Sequence, residues 1–274
     1  MQPTRSVPFA LFAFFSLCCA NLCAARTAVP DLYVPEKMRT LPGGRKVLIV
    51  LQSAGSANED FAGEGALREL LPKDDFDTRM PARLAAVVNG VPWLGARDLE
   101  TTDDSSWARI ERALDASNTR QMLVLRTAHA VTPDFKHMRI WVRALLLNRQ
   151  IPPGKTSHAR FTQDWTPYQL DFTVWLSPPG GETASRDDNR RAWAKDDGEL
   201  ARRAIEFGID WIASRFAQTL TEDEPQFESW RNRGNRKGTL PDGTPGWILA
   251  QTSGGFECFE TRRRSLTFRG IASH

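Results

Sequence analysis

Apolar positions recur at two spacings along this 274-residue chain, and the spacing separates strands from helices. Lys46 is followed by Val47-Leu48-Ile49-Val50-Leu51, an unbroken aliphatic run. A run this short, without polar alternation, predicts a strand over Lys46–Gln52 buried on both faces. Gln121–His129 opens Gln-Met-Leu-Val-Leu, and Met138–Leu147 sets Met138, Ile140, Val142, Ala144 and Leu146 at period two. Thr132-Pro133-Asp134 lies between them. Proline presets φ there and aspartate tolerates a tight backbone, so the two strands are expected to form an antiparallel hairpin. Gln169–Leu176 alternates Leu170, Phe172, Val174 and Leu176 against Gln169, Asp171, Thr173 and Trp175. The first set belongs in a core and the second on a partly wet face.

Helical spacing is weaker in the first half. Short helices are expected at Gly65–Leu71, before Pro72, and at Pro81–Val88, before Asn89-Gly90. Thr102-Asp103-Asp104-Ser105 is rich in N-capping residues and acids that suit a positive helix end. It precedes Trp107, Ile110, Ala113 and Leu114, which share one face of a helix ending near Ser117-Asn118. From Glu199 to Leu220 a longer stripe of Leu200, Ala204, Ile205, Phe207, Trp211, Ile212, Phe216 and Leu220 predicts the principal helix. Trp247–Gln251, Phe256–Glu260 and Leu266–Arg269, around Ser253-Gly254-Gly255, read as a terminal hairpin or three-strand meander.

This order predicts an α+β fold: an antiparallel or mixed sheet backed by one long amphipathic helix, with a C-terminal β-hairpin. The chain divides into a signal peptide (1–25), an extended lead-in (26–44), an α+β domain (45–220), a loop or linker (221–246) and a C-terminal hairpin region (247–274) packed on the main domain. The order is comparable with helix-backed mixed sheets of small exported envelope-assembly proteins, an analogy of architecture that no motif carries.

The leader expectation rests on Arg5, the apolar stretch from Val7 to Leu22, and the small residues Cys23-Ala24-Ala25 before Arg26. Lipidation fits less well, because neither Cys19 nor Cys23 is preceded by the required small residues. Three of the four cysteines lie in this leader, so Cys258 alone remains and no internal disulfide can form in an exported domain. An exported chain that is periplasmic or secreted, with no transmembrane segment once the leader is removed, is therefore expected. Apolar residues make up 41% and charged residues 25%, which excludes a disordered or collagen-like chain. The net charge of +3 is no nucleic-acid-binding surplus, and export argues further against nucleic acid. Arginine greatly outnumbers lysine and tryptophan is frequent, a bias compatible with anion binding and sugar stacking or with a GC-rich genome.

Catalytic patterns are scarce. Gln52-Ser53-Ala54-Gly55-Ser56 lacks the first glycine of a nucleophile elbow. No phosphate-binding glycine loop, zinc spacing or calcium loop occurs, so neither a cofactor nor a metal is expected. His129 and His137 flank the hairpin turn near Asp134 and could meet across the two strands. The acid pairs, such as Asp103-Asp104 and Asp187-Asp188, read as solvated surface or helix starts. Basic clusters stand at Arg190-Arg191, Arg231–Lys237 and Arg262-Arg263-Arg264, with Trp193 and Trp230 near two of them. The long connection from Asn148 to Tyr168 carries Lys155, His158, Arg160, Trp165 and Tyr168, the candidate contacts for a ligand or partner. The reading is a non-catalytic envelope protein acting by binding, its partner an envelope protein or a glycan. Its alternatives are an envelope hydrolase whose site assembles only in three dimensions, and a glycan- or anionic-surface-binding module using exposed Trp and Arg.

Overall fold

The structure is a computed structural model that describes residues 32–52 (except 35 and 42), 70–71, 75–149 (except 118), 168–223, 236–239, 245–260 and 263–272. The leader, the Gly65–Leu71 helix up to residue 69, and Lys155, His158, Arg160 and Trp165 lie outside the described residues.

Among the described residues nine strands form one mixed sheet, as the α+β reading requires. In chain order they are β1 (Lys46–Leu51), β2 (Asp98–Thr102), β3 (Gln121–Val131), β4 (Met138–Asn148), β5 (Tyr168–Ser177), β6 (Arg236–Thr239), β7 (Pro245–Thr252), β8 (Gly255–Glu260) and β9 (Ser265–Ile271). Their order across the sheet is β2-β1-β3-β4-β5-β9-β8-β7-β6. The β1–β2, β1–β3 and β5–β9 pairs are parallel, and every other pair in that order is antiparallel. Strand β1 is buried on both faces, which is why its aliphatic run is continuous. Hairpin β3–β4 forms in the expected place, with Val131 opposite Met138.

Two sequence expectations need correction here. Strand β2 has the polar sequence Asp-Leu-Glu-Thr-Thr, which no hydrophobic pattern announces. It is an edge strand, held where Lys46 pairs with Asp98 at 2.7 Å and Glu100 at 2.9 Å. Strand β6 falls inside the stretch read as a loop or linker, and extends the same sheet beyond β7.

Helix α1 (Glu36–Arg39) is a single turn; α2 (Phe76–Asn89), α3 (Trp107–Ala116) and α4 (Arg186–Thr221) are the longer ones. Helix α2 starts earlier than expected, with Pro81 inside it. Proline forfeits one backbone bond there. Buried Phe76, Met80, Leu84 and Val88 on one face hold the helix across that position. Helix α4 is broken at Lys195–Gly198, so its second half starts at Glu199 as expected, and the half from Arg186 is new. Asp196, Asp197 and Gly198 have φ of 53°, 56° and 78°. A Cβ on Gly198 would stand 2.8 Å from the Leu70 carbonyl oxygen, so the break and the approach of Leu70 both require glycine.

The two faces of the sheet differ. On one, α4 packs over β4, β5, β9 and β8: Phe216 meets Phe172 edge-on at 5.7 Å, and Phe207 lies 4.8 Å from Phe268. Glu257 is buried in this layer and accepts hydrogen bonds from Arg215 at 2.6 and 2.7 Å and from Trp211 at 2.8 Å. On the other face, α3 covers only β1, β3 and the far end of β4. There Ile110, Ala113 and Leu114 pack on Leu48, Val50, Met122, Val124, Leu145 and Leu147. Beyond this cluster the same face turns polar.

Candidate functional site

The alternation that sends Met138, Ile140 and Val142 to the helix layer sends Arg139, Trp141 and Arg143 to the opposite face. Asp171, Thr173 and Trp175 of β5 join them. Arg143 faces Asp171 across the strands and donates two hydrogen bonds to its carboxylate, both 2.8 Å. That contact first, then attraction to the same carboxylate, overcomes burial and raises the Arg143 guanidinium pKa. Arg126 reaches the Ser105 carbonyl at 3.1 Å and lies over Trp107 at 4.7 Å.

The register aligns one row across four strands: Arg139 on β4, Trp175 on β5, Arg269 on β9 and Phe256 on β8. Cations and rings alternate along it. The Arg139 guanidinium is 5.2 Å from the Trp175 ring centroid and 5.7 Å from that of Trp141. Burial first, and Arg263 second, bring its pKa down to about 10. It still carries full charge at neutral pH. Arg269 donates to Glu260 at 2.8 Å, and Arg263 stands 3.8 Å from the same carboxylate.

The row opens into a cleft of about 1210 Å³ at the strand ends. Trp175, Phe256, Arg269 and Arg263 line it, together with His137, Ser177 and Glu182. One wall is the turn Pro178–Thr183, where Gly181 accommodates the approach of Pro178. The first half of α4 anchors that turn, since Asn189 donates to the Gly181 carbonyl at 3.0 Å. The Thr132–His137 turn borders the cleft as well. Buried Trp193 donates to the Phe135 carbonyl there at 2.8 Å, and the Thr132 hydroxyl donates to Asp134 at 2.7 Å. Burial pushes the Asp134 carboxyl up, but the bonds from Thr132 and the Lys136 N–H outweigh it and leave the group below its ordinary value.

Several residues singled out by the sequence take their places around this site. His129 and His137 do not meet. His129 pairs with Ile140 on the helix-facing side and stacks on Phe76 at 3.9 Å, whereas His137 lies in the cleft. Among the described residues no cluster could hold a metal ion. Tyr168, the one described member of the candidate contact set, is buried rather than presented to solvent: its hydroxyl donates to Thr219 at 3.0 Å, and burial raises its pKa. Of the basic cluster at 262–264, Arg263 reaches the cleft. Cys258 is a buried thiol on β8.

Sequence reasoning missed His137, Ser177 and Glu182 as a group, because His137 comes from the β3–β4 turn and the other two from the end of β5 and the turn after it, some forty residues on. Trp175 was visible on the wet side of its strand; its partner Arg269 was not, since the parallel β5–β9 pairing joins segments almost a hundred residues apart.

No family model and no curated protein matches the chain. Among solved structures it is similar to a PelC dodecamer from Paraburkholderia phytofirmans, with 12% identity over 67% of this chain and 92% of that one, at a TM-score of 0.30. A single-substitution PelC dodecamer from the same organism gives 15% identity, 57% and 87% coverage, and a TM-score of 0.23. Likenesses this weak carry no argument about what the chain does. Among the described residues no helix is long and apolar enough to cross a membrane.

Proposed function

We propose that this is an exported envelope protein whose cleft binds an anionic, hydroxyl-rich chain, an acidic glycan segment. The observation that carries the reading is the aligned row Arg139–Trp175–Arg269–Phe256 running into the cleft. Sugar faces pack on aromatic rings, and guanidinium groups take carboxylate or sulfate oxygens in pairs. Glu260 offsets part of the charge of Arg269 and Arg263, and Arg139, near two indoles, shares its attraction to Glu260 and to Asp171. The other lining groups, Gln251, Thr252, Ser253 and Thr183, suit hydroxyl recognition. The leader sequence supports envelope localisation.

Titration calorimetry with oligogalacturonate and with a neutral oligosaccharide of equal length tests the binding. The acidic ligand is expected to bind more tightly, and less so as salt rises. Arg139→Met and Trp175→Ala should each weaken it about ten-fold or more, the loss expected for a stacked anchor. Equal affinity for both ligands, or variants that bind like the native protein, would overturn the reading. Cell fractionation with an epitope tag tests the localisation, which fails if the full-length chain stays in the cytosol.

A further inference from the structure

Three polar groups stand in a row in the cleft. Ser177, the last residue of β5, places its hydroxyl oxygen 2.9 Å from His137 Nδ1. His137 Nε2 is 3.5 Å from Glu182 Oε1. In the tautomer protonated at Nε2, Nδ1 accepts from the serine hydroxyl and the exposed Glu182 carboxylate stands beside the Nε2 proton. Neither partner is loosely placed. The Ser177 carbonyl accepts from the Ala272 N–H at 2.8 Å, and the His137 N–H donates to the Thr132 hydroxyl at 3.0 Å. The Trp175 ring meets the imidazole edge-on, with centroids 5.9 Å apart. Arg263 and Arg269 line the same cavity. The trio was invisible in the sequence, where Ser177 precedes Pro178-Pro179 with no elbow motif.

We infer that Ser177 is the nucleophile of an acyl-transfer reaction on carboxylic esters carried by the chain that the cleft binds, an inference that rests on the binding reading for its substrate. The Ser177 oxygen forms a bond to the ester carbonyl carbon while its proton passes to His137 Nδ1. Glu182 stabilises the imidazolium, a charge present only after that transfer, so its attraction strengthens toward the transition state. The arginines supply positive charge for the tetrahedral oxyanion. The carbon–oxygen bond to the sugar then breaks, and the leaving alkoxide takes the proton from His137. A water molecule attacks the acyl-serine, gives its proton to the imidazole, and releases the carboxylic acid with Ser177 restored.

A fluorophosphonate is the probe, followed by peptide mass spectrometry, with 4-nitrophenyl acetate hydrolysis read in parallel. The expected result is one adduct, at Ser177, together with hydrolysis of the acetate ester. His137→Gln should slow labelling about a hundred-fold, the usual scale of general-base assistance. An unlabelled Ser177 in the native protein overturns the inference, as does labelling at unchanged rate in His137→Gln. Ser177→Ala serves as the second variant should that one not fold: ester hydrolysis should be lost, and hydrolysis at an unchanged rate overturns the inference. Oligogalacturonate calorimetry on the same samples separates the two ideas. Binding without a Ser177 adduct sinks acyl transfer alone; an adduct without binding sinks the glycan reading and the substrate named from it, and leaves Ser177 as nucleophile.

Discussion

Trp193 shows how much one side chain carries. Its indole is fully buried, and its N–H satisfies the Phe135 carbonyl, at a turn where Phe135 itself has φ of 56°. A non-glycine residue held there needs support from its surroundings. Trp193→Phe removes the donor and leaves a buried acceptor and a small void. It should lower unfolding free energy by about 2 kcal/mol in urea denaturation. Because the turn borders the cleft, His137 should also lose order, visible as a broadened imidazole resonance. None of this is legible in the sequence. The basic cluster beside Trp193 suggests an exposed ring, whereas the first half of α4 turns it into the core. The wet sides of β4 and β5 were legible, because a period of two assigns Arg139, Arg143, Asp171 and Trp175 without knowledge of the partners.

At the scale of elements, the helix starts depend on short polar side chains. Ser185 caps α4: its hydroxyl accepts from the Asp188 N–H at 3.2 Å and donates to the Asp188 carboxylate at 2.7 Å. That bond first, then Arg191, lowers the Asp188 pKa. At α3, Ser106 caps the helix and its N–H donates to Asp104 at 3.0 Å. Hydrogen bonds from Ser106 hold Asp104 below its ordinary value. Both groups are depressed in the folded protein. Their stabilisation is therefore complete above the unfolded carboxylate value of 3.8 and disappears as pH falls through the lower folded value. Thermal melts should hold steady from pH 7 to about 5 as far as these groups decide it, and drop below about pH 4. Ser185→Ala should reduce that acid sensitivity, and an unchanged pH profile would remove this cause. Helix α3 was readable because its capping residues and its apolar face agree. Helix α4 was readable only after its break, since Asp187–Ala194 has too few apolar positions for a stripe.

Across the whole molecule, the sheet divides its duties by face. The helix-covered side is apolar apart from groups such as Glu257, which has partners. The opposite side passes from a core under α3 to the arginine and tryptophan row. The α+β class was legible because strands and helices alternate in hydrophobic period. Strand order was not, because nothing local in the chain states that β9 enters between β5 and β8. Edge strands β2 and β6 were missed for a related reason: with one neighbour each they need little apolar content.

The insertion of β9 has a consequence for how the protein becomes competent. Its neighbours to either side cannot be joined until residues 265–271 arrive, so any fragment that stops at Glu260 keeps an open seam through the middle of the sheet. Such a fragment should lack cooperative unfolding in circular dichroism melts and bind no oligosaccharide. A truncated chain that melted sharply would show that the seam is not needed. Strand β9 is thus a keystone: one seven-residue piece closes the sheet between β5 and β8.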